Sequence, residues 1–267
     1  MSGENMTFWD HLDELRGVLV KIAILLAVLA VGCFVAMPRL FDDVILAPCN
    51  ASFPLYRALD TVAGLWPGSV ELRPDFHVNL VSVELTSQFM IHVSASLWMA
   101  FVLGFPMIIY LLWSFVAPGL YDSEKRGIRR AFVAGNVMFF LGMATGYFLV
   151  FPIAVRFLAD YSLSDKIQTM VSLDSYMDNF FTLLLLMGAI FELPLLAWLL
   201  GKMGFLTRGF FSRYRRHAIV VLLIVAAAVT PTGDPFSLLA VFLPIYALWE
   251  FSRRLVPAEA ESESEAR

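Results

Sequence analysis

The sequence predicts an all-α, polytopic membrane protein with six transmembrane helices. The chain of 267 residues is 59% hydrophobic and only 16% charged, far from the composition of an average soluble protein. The charges are also unevenly placed, because no Asp, Glu, Lys or Arg occurs between Glu84 and Asp122 or within residues 131–155. Uncharged apolar runs of this length are typical of helices that cross a lipid bilayer.

Six segments carry the apolar runs, and the last two are short. Each of these two offers about 12 to 14 residues, or roughly 18 to 21 Å of helix, against a hydrocarbon thickness near 30 Å. The stretch Thr230-Pro231-Thr232-Gly233-Asp234-Pro235 separates them and cannot continue a straight helix. We therefore predict a hairpin of two short spans here, not one kinked span. The predicted spans are residues 18–37, 90–113, 131–155, 179–200, 218–229 and 236–249.

The distribution of Lys and Arg predicts the orientation. In the six-span arrangement, fourteen of the nineteen basic residues fall on the side of both termini, and five fall on the other side. By the positive-inside rule, both termini are cytoplasmic. A five-span arrangement would place Arg253 and Arg254 outside, so the charges also favour the terminal hairpin.

The segments outside the spans are predicted from their own patterns. Near the start, Phe8, Leu12 and Leu15 recur at helical spacing, which is typical of an amphipathic helix at the membrane interface. The start lacks the basic region and cleavage site of a secretory signal peptide, so we expect the first apolar segment to be retained. The predicted divisions are a cytoplasmic amphipathic segment at 1–17, a six-helix domain at 18–251 with an outer loop at about 38–87, and a disordered cytoplasmic tail at 252–267.

Two carboxylates near the predicted cytoplasmic face have alternative interpretations. Glu14 lies on the polar face of the amphipathic segment, either as part of a solvated anchor or to receive a cation. Glu124 lies in a connection rich in Lys and Arg, either as a local ion-pair partner or as a second carboxylate at the same interface. Two carboxylates there can bind two guanidinium groups through paired N–H···O bonds, a geometry that lysine cannot reproduce.

Polar residues inside or between the spans also need a reason. Glu192 lies mid-span, where a carboxyl group is costly unless it faces a protein interior or a wet cavity, and Pro194 predicts a kink beside it. Asp234 before Pro235 is typical of a turn or a helix N-cap. Scattered polar residues of the second and third spans are predicted to form interhelical hydrogen bonds: His92, Ser94, Ser96, Asn136, Thr145 and Tyr147.

The sequence contains no pattern that indicates an enzyme. H-E-x-x-H and G-x-S-x-G are absent, and no cluster of Cys and His has the spacing of metal ligands. Asp122 and Asp234 fall on opposite faces of the predicted topology, so they cannot act as an aspartyl protease pair. We expect no catalytic residues, no cofactor, no metal and no nucleic-acid partner, which leaves recognition or transport at the membrane.

Several segments together resemble one family, the twin-arginine translocase subunit TatC. They occur in the family's order from about residue 7 to 251, and jointly they are highly specific. They are His11-Leu12-Asp13-Glu14-Leu15-Arg16, Ala47-Pro48, Phe105-Pro106, Trp113 to Tyr121 with Glu124-Lys125-Arg126, Gly146-Tyr147-Phe148, Phe151-Pro152, Phe191-Glu192-Leu193-Pro194, and Thr230-Pro231 with Asp234.

The resemblance implies a fold and a function. The fold is a concave, cupped bundle of six helices with short fifth and sixth spans, in the bacterial cytoplasmic (inner) membrane. The function is that of a receptor for twin-arginine signal peptides, which helps to export folded proteins using the proton-motive force. The implied partners are those signal peptides, TatA-like and TatB-like single-span subunits, the lipid bilayer and further copies of the chain itself.

The resemblance also implies roles for individual residues. Glu14 and Glu124 match the positions that bind the arginine pair, and Glu192 matches an intramembrane carboxylate on the concave face. Further matched positions are Arg16, Pro48, Phe115, Tyr147 and Asp234. The alternative function is a proton-coupled small-molecule transporter with Glu192 as proton carrier, which predicts an internal repeat that the sequence does not show.

Overall fold

The computed structural model describes residues 8–63, 78–116, 122–161, 164, 170–230 and 234–256. Within this part of the chain, five helical stretches are long and apolar enough to cross a membrane, and they contain five of the six predicted spans. The predicted fifth span forms a helix of 15 residues, Arg215–Val229, which is about 22 Å long at 1.5 Å per residue. The five stretches are Leu12–Cys49, Ser87–Phe115, Ala131–Ala159, Leu173–Lys202 and Pro235–Leu255.

The described chain is predominantly helical, with one small sheet. Its two strands are β1 (Leu80–Val81) and β2 (Val171–Ser172), which pair in parallel with Leu80 beside Val171. Two π-helical turns and one 3-10 turn interrupt the helices, at Phe41–Ile45, Gly146–Val150 and Ala47–Cys49. The helices are α1 (Phe8–Leu40), α2 (Pro54–Ala63), α3 (Ser87–Val116), α4 (Asp122–Thr145), α5 (Phe151–Asp160), α6 (Leu173–Ile190), α7 (Leu193–Lys202), α8 (Arg208–Arg213), α9 (Arg215–Val229) and α10 (Pro235–Leu255).

The chain divides into two compact units. In the first, Met1–Asp42 with Leu85–Asn136, α1 packs along α3, where Gly104 allows the side chain of Leu29 to approach closely. In the second, Asp43–Glu84 with Val137–Arg267, α10 packs against α5, α7 and α9. The second unit holds most of the fully buried side chains, including Met187 and Ile245.

The last two helices pack against each other, which is consistent with the predicted hairpin, but α10 is longer than the short sixth span that we predicted. Helix α9 ends at Val229, and Thr230 takes an extended conformation while its hydroxyl donates to Ala226 O at 2.9 Å. Asp234 then begins α10 as its N-cap. Residues 231–233 lie outside the described part. Helix α10 runs for 21 residues, about 31 Å, because it continues past the apolar run through Arg253 and Arg254.

The outer loop predicted at 38–87 begins later than expected. We predicted that the first span ends before Pro38, but α1 includes Pro38 and ends at Leu40, followed directly by a π-helical turn. The loop then forms the 3-10 turn, α2 and β1, and residues 64–77 lie outside the described part.

His92 explains why the helix continues through Pro38. A proline has no N–H, so Pro38 leaves the carbonyl of Phe34 without its donor within the helix. The Nε2 of His92, on α3, lies 2.9 Å from that oxygen and donates to it. The imidazole also stacks on the Phe34 ring, with centroids 3.9 Å apart and planes within 7°. A side chain from another helix thus replaces the missing donor.

We expect the contribution of His92 to the free energy of unfolding to depend on Pro38. The His92→Phe change keeps a stacking ring and removes the donor, so it lowers the free energy of unfolding by about 1 kcal/mol, the size of interhelical hydrogen bonds in membranes. Pro38→Ala returns an N–H to the Phe34 carbonyl, so the loss from His92→Phe becomes smaller in that background. Unfolding of the four variants in mixed micelles measures this double-mutant cycle. An equal loss in both backgrounds would contradict the explanation.

Most of the scattered polar residues do not bridge helices as predicted. His92 does bridge two helices. Four others donate to a backbone carbonyl one turn earlier in their own helix: Ser94 to Ile91, Ser96 to His92, Asn136 to Phe132 and Thr145 to Leu141. Short polar side chains in an apolar helix satisfy a donor group this way without any tertiary partner. The prediction of interhelical bonds was therefore wrong for these four.

Candidate functional site

Glu14 lies on the inward face of α1. Its side chain is half-buried, and Val18, one turn later on the same face, is buried. The Oε2 atom is buried, and no donor in the described part of the chain reaches it. The neighbouring Asp13 and Arg16 are exposed. Glu14 therefore differs from Asp13 and Arg16, because it has an acceptor oxygen turned inward and still available.

Glu124 lies in the first turn of α4, in the same compact unit as Glu14. An acidic residue is favoured there by the partial positive charge at a helix N-terminus. The side chain of Glu124 lies outside the described part, so the separation of the two carboxylates stays a prediction. Phe115, another matched position, lies in the last turn of α3 and is half-buried.

Glu192 lies at a break in the fourth span. Helix α6 ends at Ile190 and α7 begins at Leu193, so Phe191 and Glu192 form a turn within the membrane-spanning stretch. Pro194 has no N–H, which leaves the carbonyl of Ile190 without its helical donor and confirms the predicted kink. The Glu192 side chain is half-buried, and its Oε1 is buried with no partner among the residues the structure describes.

A close helix contact fixes the position of this break. A Cβ at Gly142 of α4 would lie 2.5 Å from the carbonyl oxygen of Met187 and 2.7 Å from the Cβ of Phe191. The Phe139 ring packs in the same way against Gly188 of α6. The backbones of α4 and α6 therefore meet through glycines directly before Glu192.

Three tyrosines hold the segment that follows α1. The hydroxyl of Tyr147 donates to Val44 O at 2.8 Å, and that of Tyr176 donates to Ile45 O at 2.6 Å. Both carbonyls belong to the π-helical turn Phe41–Ile45. Tyr147 itself lies in the other π-helical turn, so its hydrogen bond joins the two irregular turns.

Tyr56 completes this arrangement around Pro48. Its hydroxyl lies 2.9 Å from Pro48 O and 3.0 Å from Pro152 O, and the two carbonyls share its proton. The guanidinium of Arg156 lies 5.0 Å above the Tyr56 ring. Tyr56 is 1% exposed, and Pro48 is buried. The matched positions Pro48 and Tyr147 thus belong to one hydrogen-bonded cluster, which we call the tyrosine cluster: Val44, Ile45, Pro48, Tyr56, Tyr147, Pro152 and Tyr176.

Asp234 has the N-cap role predicted for it. Its Oδ1 accepts the backbone N–H of Ser237 at 2.7 Å, and Pro235 occupies the first position of α10. The side chain is 9% exposed. Asp234 therefore starts the last helix.

Sequence reasoning did not identify Tyr56, Tyr176 or Arg156 as important residues. A buried tyrosine hydroxyl needs an acceptor, so Tyr56 and Tyr176 could have been suspected from their apolar surroundings. Their acceptors lie 8 to 131 residues away in sequence, and no local pattern indicates them. Arg156 directly follows the predicted third span, and nothing in the sequence beyond its charge sets it apart.

Comparison with known proteins gives a consistent result over nearly the whole chain. A family model described as Sec-independent protein translocase protein (TatC) matches residues 10–244. The TatC proteins of Blattabacterium sp. subsp. Periplaneta americana and Deinococcus radiodurans are 30% and 31% identical to this chain. These alignments cover 92% and 95% of this chain, and 93% and 89% of the relatives.

Solved structures of the twin-arginine translocase receptor TatC have the same fold. One crystal structure matches with a TM-score of 0.68 at 26% identity, covering 92% of this chain and 97% of the other. A second, obtained in DDM, matches with a TM-score of 0.70 at 25% identity, covering 92% and 99%. The sequence match, the helical architecture and the structural match agree, and the chain belongs to the TatC family of Sec-independent protein translocases, which are multi-pass membrane proteins.

Proposed function

We propose that this chain is the receptor subunit of a twin-arginine export system in the bacterial cytoplasmic membrane. In this role it binds twin-arginine signal peptides and helps to move folded proteins across the membrane using the proton-motive force. Its family membership supports the proposal, as do the solved relatives described as twin-arginine translocase receptors. The observation that carries most weight is the buried, unpartnered Oε2 of Glu14.

The arginine pair is bound by Glu14 and Glu124. A buried carboxylate oxygen without a donor is costly, and a guanidinium supplies planar N–H groups that satisfy it. Each glutamate accepts from one guanidinium of the signal peptide, and lysine is a poorer partner because it lacks the planar fork. Arg16 and Phe115, in the same compact unit, border this site at the cytoplasmic side.

The other matched residues act away from the arginine pair. Glu192 is an intramembrane functional carboxylate at which single-span TatA-like and TatB-like subunits make contact during assembly. Pro48, Tyr147 and Asp234 keep the outer ends of the helices in place for those partners. Further copies of the chain join the same complex.

The orientation follows from the charges. Both termini face the cytoplasm, with residues 1–17 as the interfacial segment, 18–251 as the six-helix domain and 252–267 as the tail. The tail was predicted to be disordered, but its residues 252–255 continue α10. This places Glu14 and Glu124 in the compartment in which a signal peptide is made.

A binding experiment on the full-length chain in lipid nanodiscs tests the proposal. A peptide with an Arg-Arg pair should bind more tightly than the same peptide with Lys-Lys. Glu14→Gln or Glu124→Gln should weaken Arg-Arg binding by roughly tenfold to a hundredfold, because a hydrogen bond to a charged group contributes about 1.5 to 3 kcal/mol. The preference for Arg-Arg should fall in both variants.

Asp13→Asn is the matched control, because Asp13 is an exposed carboxylate beside Glu14 on the same helix. It should leave the affinity and the Arg-Arg preference unchanged. If Asp13→Asn weakened binding as much as Glu14→Gln, general charge would explain the effect. If both glutamate variants kept the full preference for Arg-Arg, the assignment of the site would be wrong.

A further inference from the structure

The connection between the fourth and fifth spans carries a strong positive charge. We call residues 202–217 the basic connector; it contains the end of α7, all of α8 and the start of α9. No Asp or Glu occurs in the sequence between Glu192 and Asp234. Five cations fall within the basic connector: Lys202, Arg208, Arg213, Arg215 and Arg216.

Two of these five cations have partners inside the protein. Arg208 Nε donates to Val256 O at 2.7 Å, which ties α8 to the end of α10. Arg215 pairs with Glu250 at 2.9 Å and donates to the hydroxyl of Tyr246 at 3.0 Å. These contacts hold the start of α8 and the start of α9 against α10.

The other three cations are exposed. No carboxylate that the structure describes pairs with Lys202, Arg213 or Arg216. Lys202 lies 4.7 Å from the Trp198 ring, and the Arg213 guanidinium lies 6.0 Å from the Tyr214 ring. The positive charge of all three therefore faces outward, and that of Lys202 and Arg213 lies next to aromatic rings.

Exposed apolar side chains accompany these cations. Phe205 is 71% exposed, and Phe210 and Tyr214 are each 40% exposed, whereas Phe211 is buried against Trp249. The rings of Phe210 and Tyr214 lie 4.8 Å apart on the outward side of α8. Helix α8 thus presents aromatic rings on the side that its protein contacts leave uncovered.

The backbone keeps Phe205 in this exposed position. Helix α7 ends at Lys202, and two residues later Gly204 has a φ of +78°, which favours glycine. The N–H of Phe205 then donates to Leu200 O at 2.9 Å. A large apolar side chain is therefore held outward just beyond the end of a membrane-spanning helix, three residues after Lys202.

We propose that the basic connector lies in the headgroup layer of the cytoplasmic leaflet and binds the phosphate groups of anionic phospholipids. Aromatic side chains with neighbouring Lys and Arg are typical of the membrane interface, where the rings bury their apolar part and the cations meet anionic headgroups. A signal peptide carrying arginines would be repelled by this surface. The proposed lipid surface consists of other residues than the proposed site at Glu14 and Glu124, and the two proposals do not depend on each other.

A lipid-binding experiment on the purified full-length chain tests this inference. Short-chain phosphatidylglycerol, titrated into the detergent-solubilised protein, should raise its melting temperature more than phosphatidylcholine of the same chain length. Arg213→Gln with Arg216→Gln should weaken phosphatidylglycerol binding by roughly 25-fold, or about fivefold for each cation, equivalent to about 1 kcal/mol each. Raising the salt concentration should weaken binding to the parent chain more than binding to this variant.

Two further variants make the experiment specific. Arg39→Gln with Arg57→Gln removes two exposed cations elsewhere and should leave phosphatidylglycerol binding unchanged. Phe205→Ser with Phe210→Ser should weaken binding at every salt concentration, because it removes the apolar anchors. Glu14→Gln should not alter lipid binding, so the two proposals fail independently.

Three outcomes would overturn the inference. The first is that the parent chain and the double variant Arg213→Gln with Arg216→Gln bind phosphatidylglycerol equally well. The second is full competition by inorganic phosphate at equal concentration, which would indicate a free-anion site and not a lipid surface. The third is a preference for phosphatidylglycerol over phosphatidylcholine that the parent chain lacks and that emerges only after Glu259, Glu261, Glu263 and Glu265 are changed to Gln. That result would mean that the acidic tail, and not lipid, occupies the basic connector.

Discussion

We expect Gly142→Ala to lower the free energy of unfolding by about 3 kcal/mol or more. The added Cβ would lie 2.5 Å from the backbone oxygen of Met187 and 2.7 Å from the Cβ of Phe191. Overpacking typically costs about 1 to 3 kcal/mol, and a clash with backbone cannot be relieved by a rotamer change. Helices α4 and α6 must therefore separate. Unfolding in mixed micelles measures the loss.

Gly32→Ala is the matched control for Gly142→Ala. A Cβ at Gly32, within the exposed face of α1, meets nothing within 4 Å. Alanine is favoured over glycine in a helix by about 0.5 to 1 kcal/mol, so this variant should be neutral or slightly more stable. If both variants lost the same stability, the close approach of α4 and α6 would not be the cause.

Tyr56→Ala has the second large effect, an expected loss of about 3 to 5 kcal/mol, the range for removing a large buried aromatic side chain. The change removes a ring that is 1% exposed and lies beneath Arg156. It also leaves the carbonyls of Pro48 and Pro152 without their shared donor.

Tyr56→Phe keeps the ring and removes the donor, so it should lower the free energy of unfolding by about 1 to 3 kcal/mol. Thermal melting in detergent, followed by intrinsic fluorescence, compares the two variants.

Tyr161→Phe is the control that separates loss of the Tyr56 hydrogen bonds from the general effect of removing a tyrosine hydroxyl. Tyr161 is exposed in the same compact unit, so its change should stay within about 0.5 kcal/mol of the parent chain. A Tyr56→Phe variant as stable as Tyr161→Phe would show that the shared donor to Pro48 and Pro152 adds nothing to stability.

The sequence predicted the features that depend on local chemistry. The apolar runs gave the five membrane-spanning stretches in the described part of the chain, because the bilayer requires a minimum length of uncharged helix. The predicted fifth span became the shorter helix α9. Pro194 predicted the break beside Glu192, and Asp234 before Pro235 predicted the start of the last helix. In each case the responsible residue lies within a few positions of the feature it determines.

Features that depend on distant partners could not be predicted in the same way. Nothing near Pro38 shows that α1 continues, because its replacement donor is His92, more than fifty residues later. The hydrogen bonds of the tyrosine cluster also join segments that are far apart in sequence, as does the close contact between Gly142 and α6. For the proposed site, the sequence indicates the residue types, and the inward-facing oxygen of Glu14 emerges only from the fold.

The hydrogen bond between His92 and the Phe34 carbonyl has an evolutionary consequence. As long as residue 38 is proline, position 92 is constrained to a side chain that can donate across the helix pair. Once residue 38 mutates to an amino acid with a backbone N–H, that constraint disappears and position 92 is free to drift. Among descendants of this chain, we expect the two positions to co-vary, with losses of the histidine following losses of the proline.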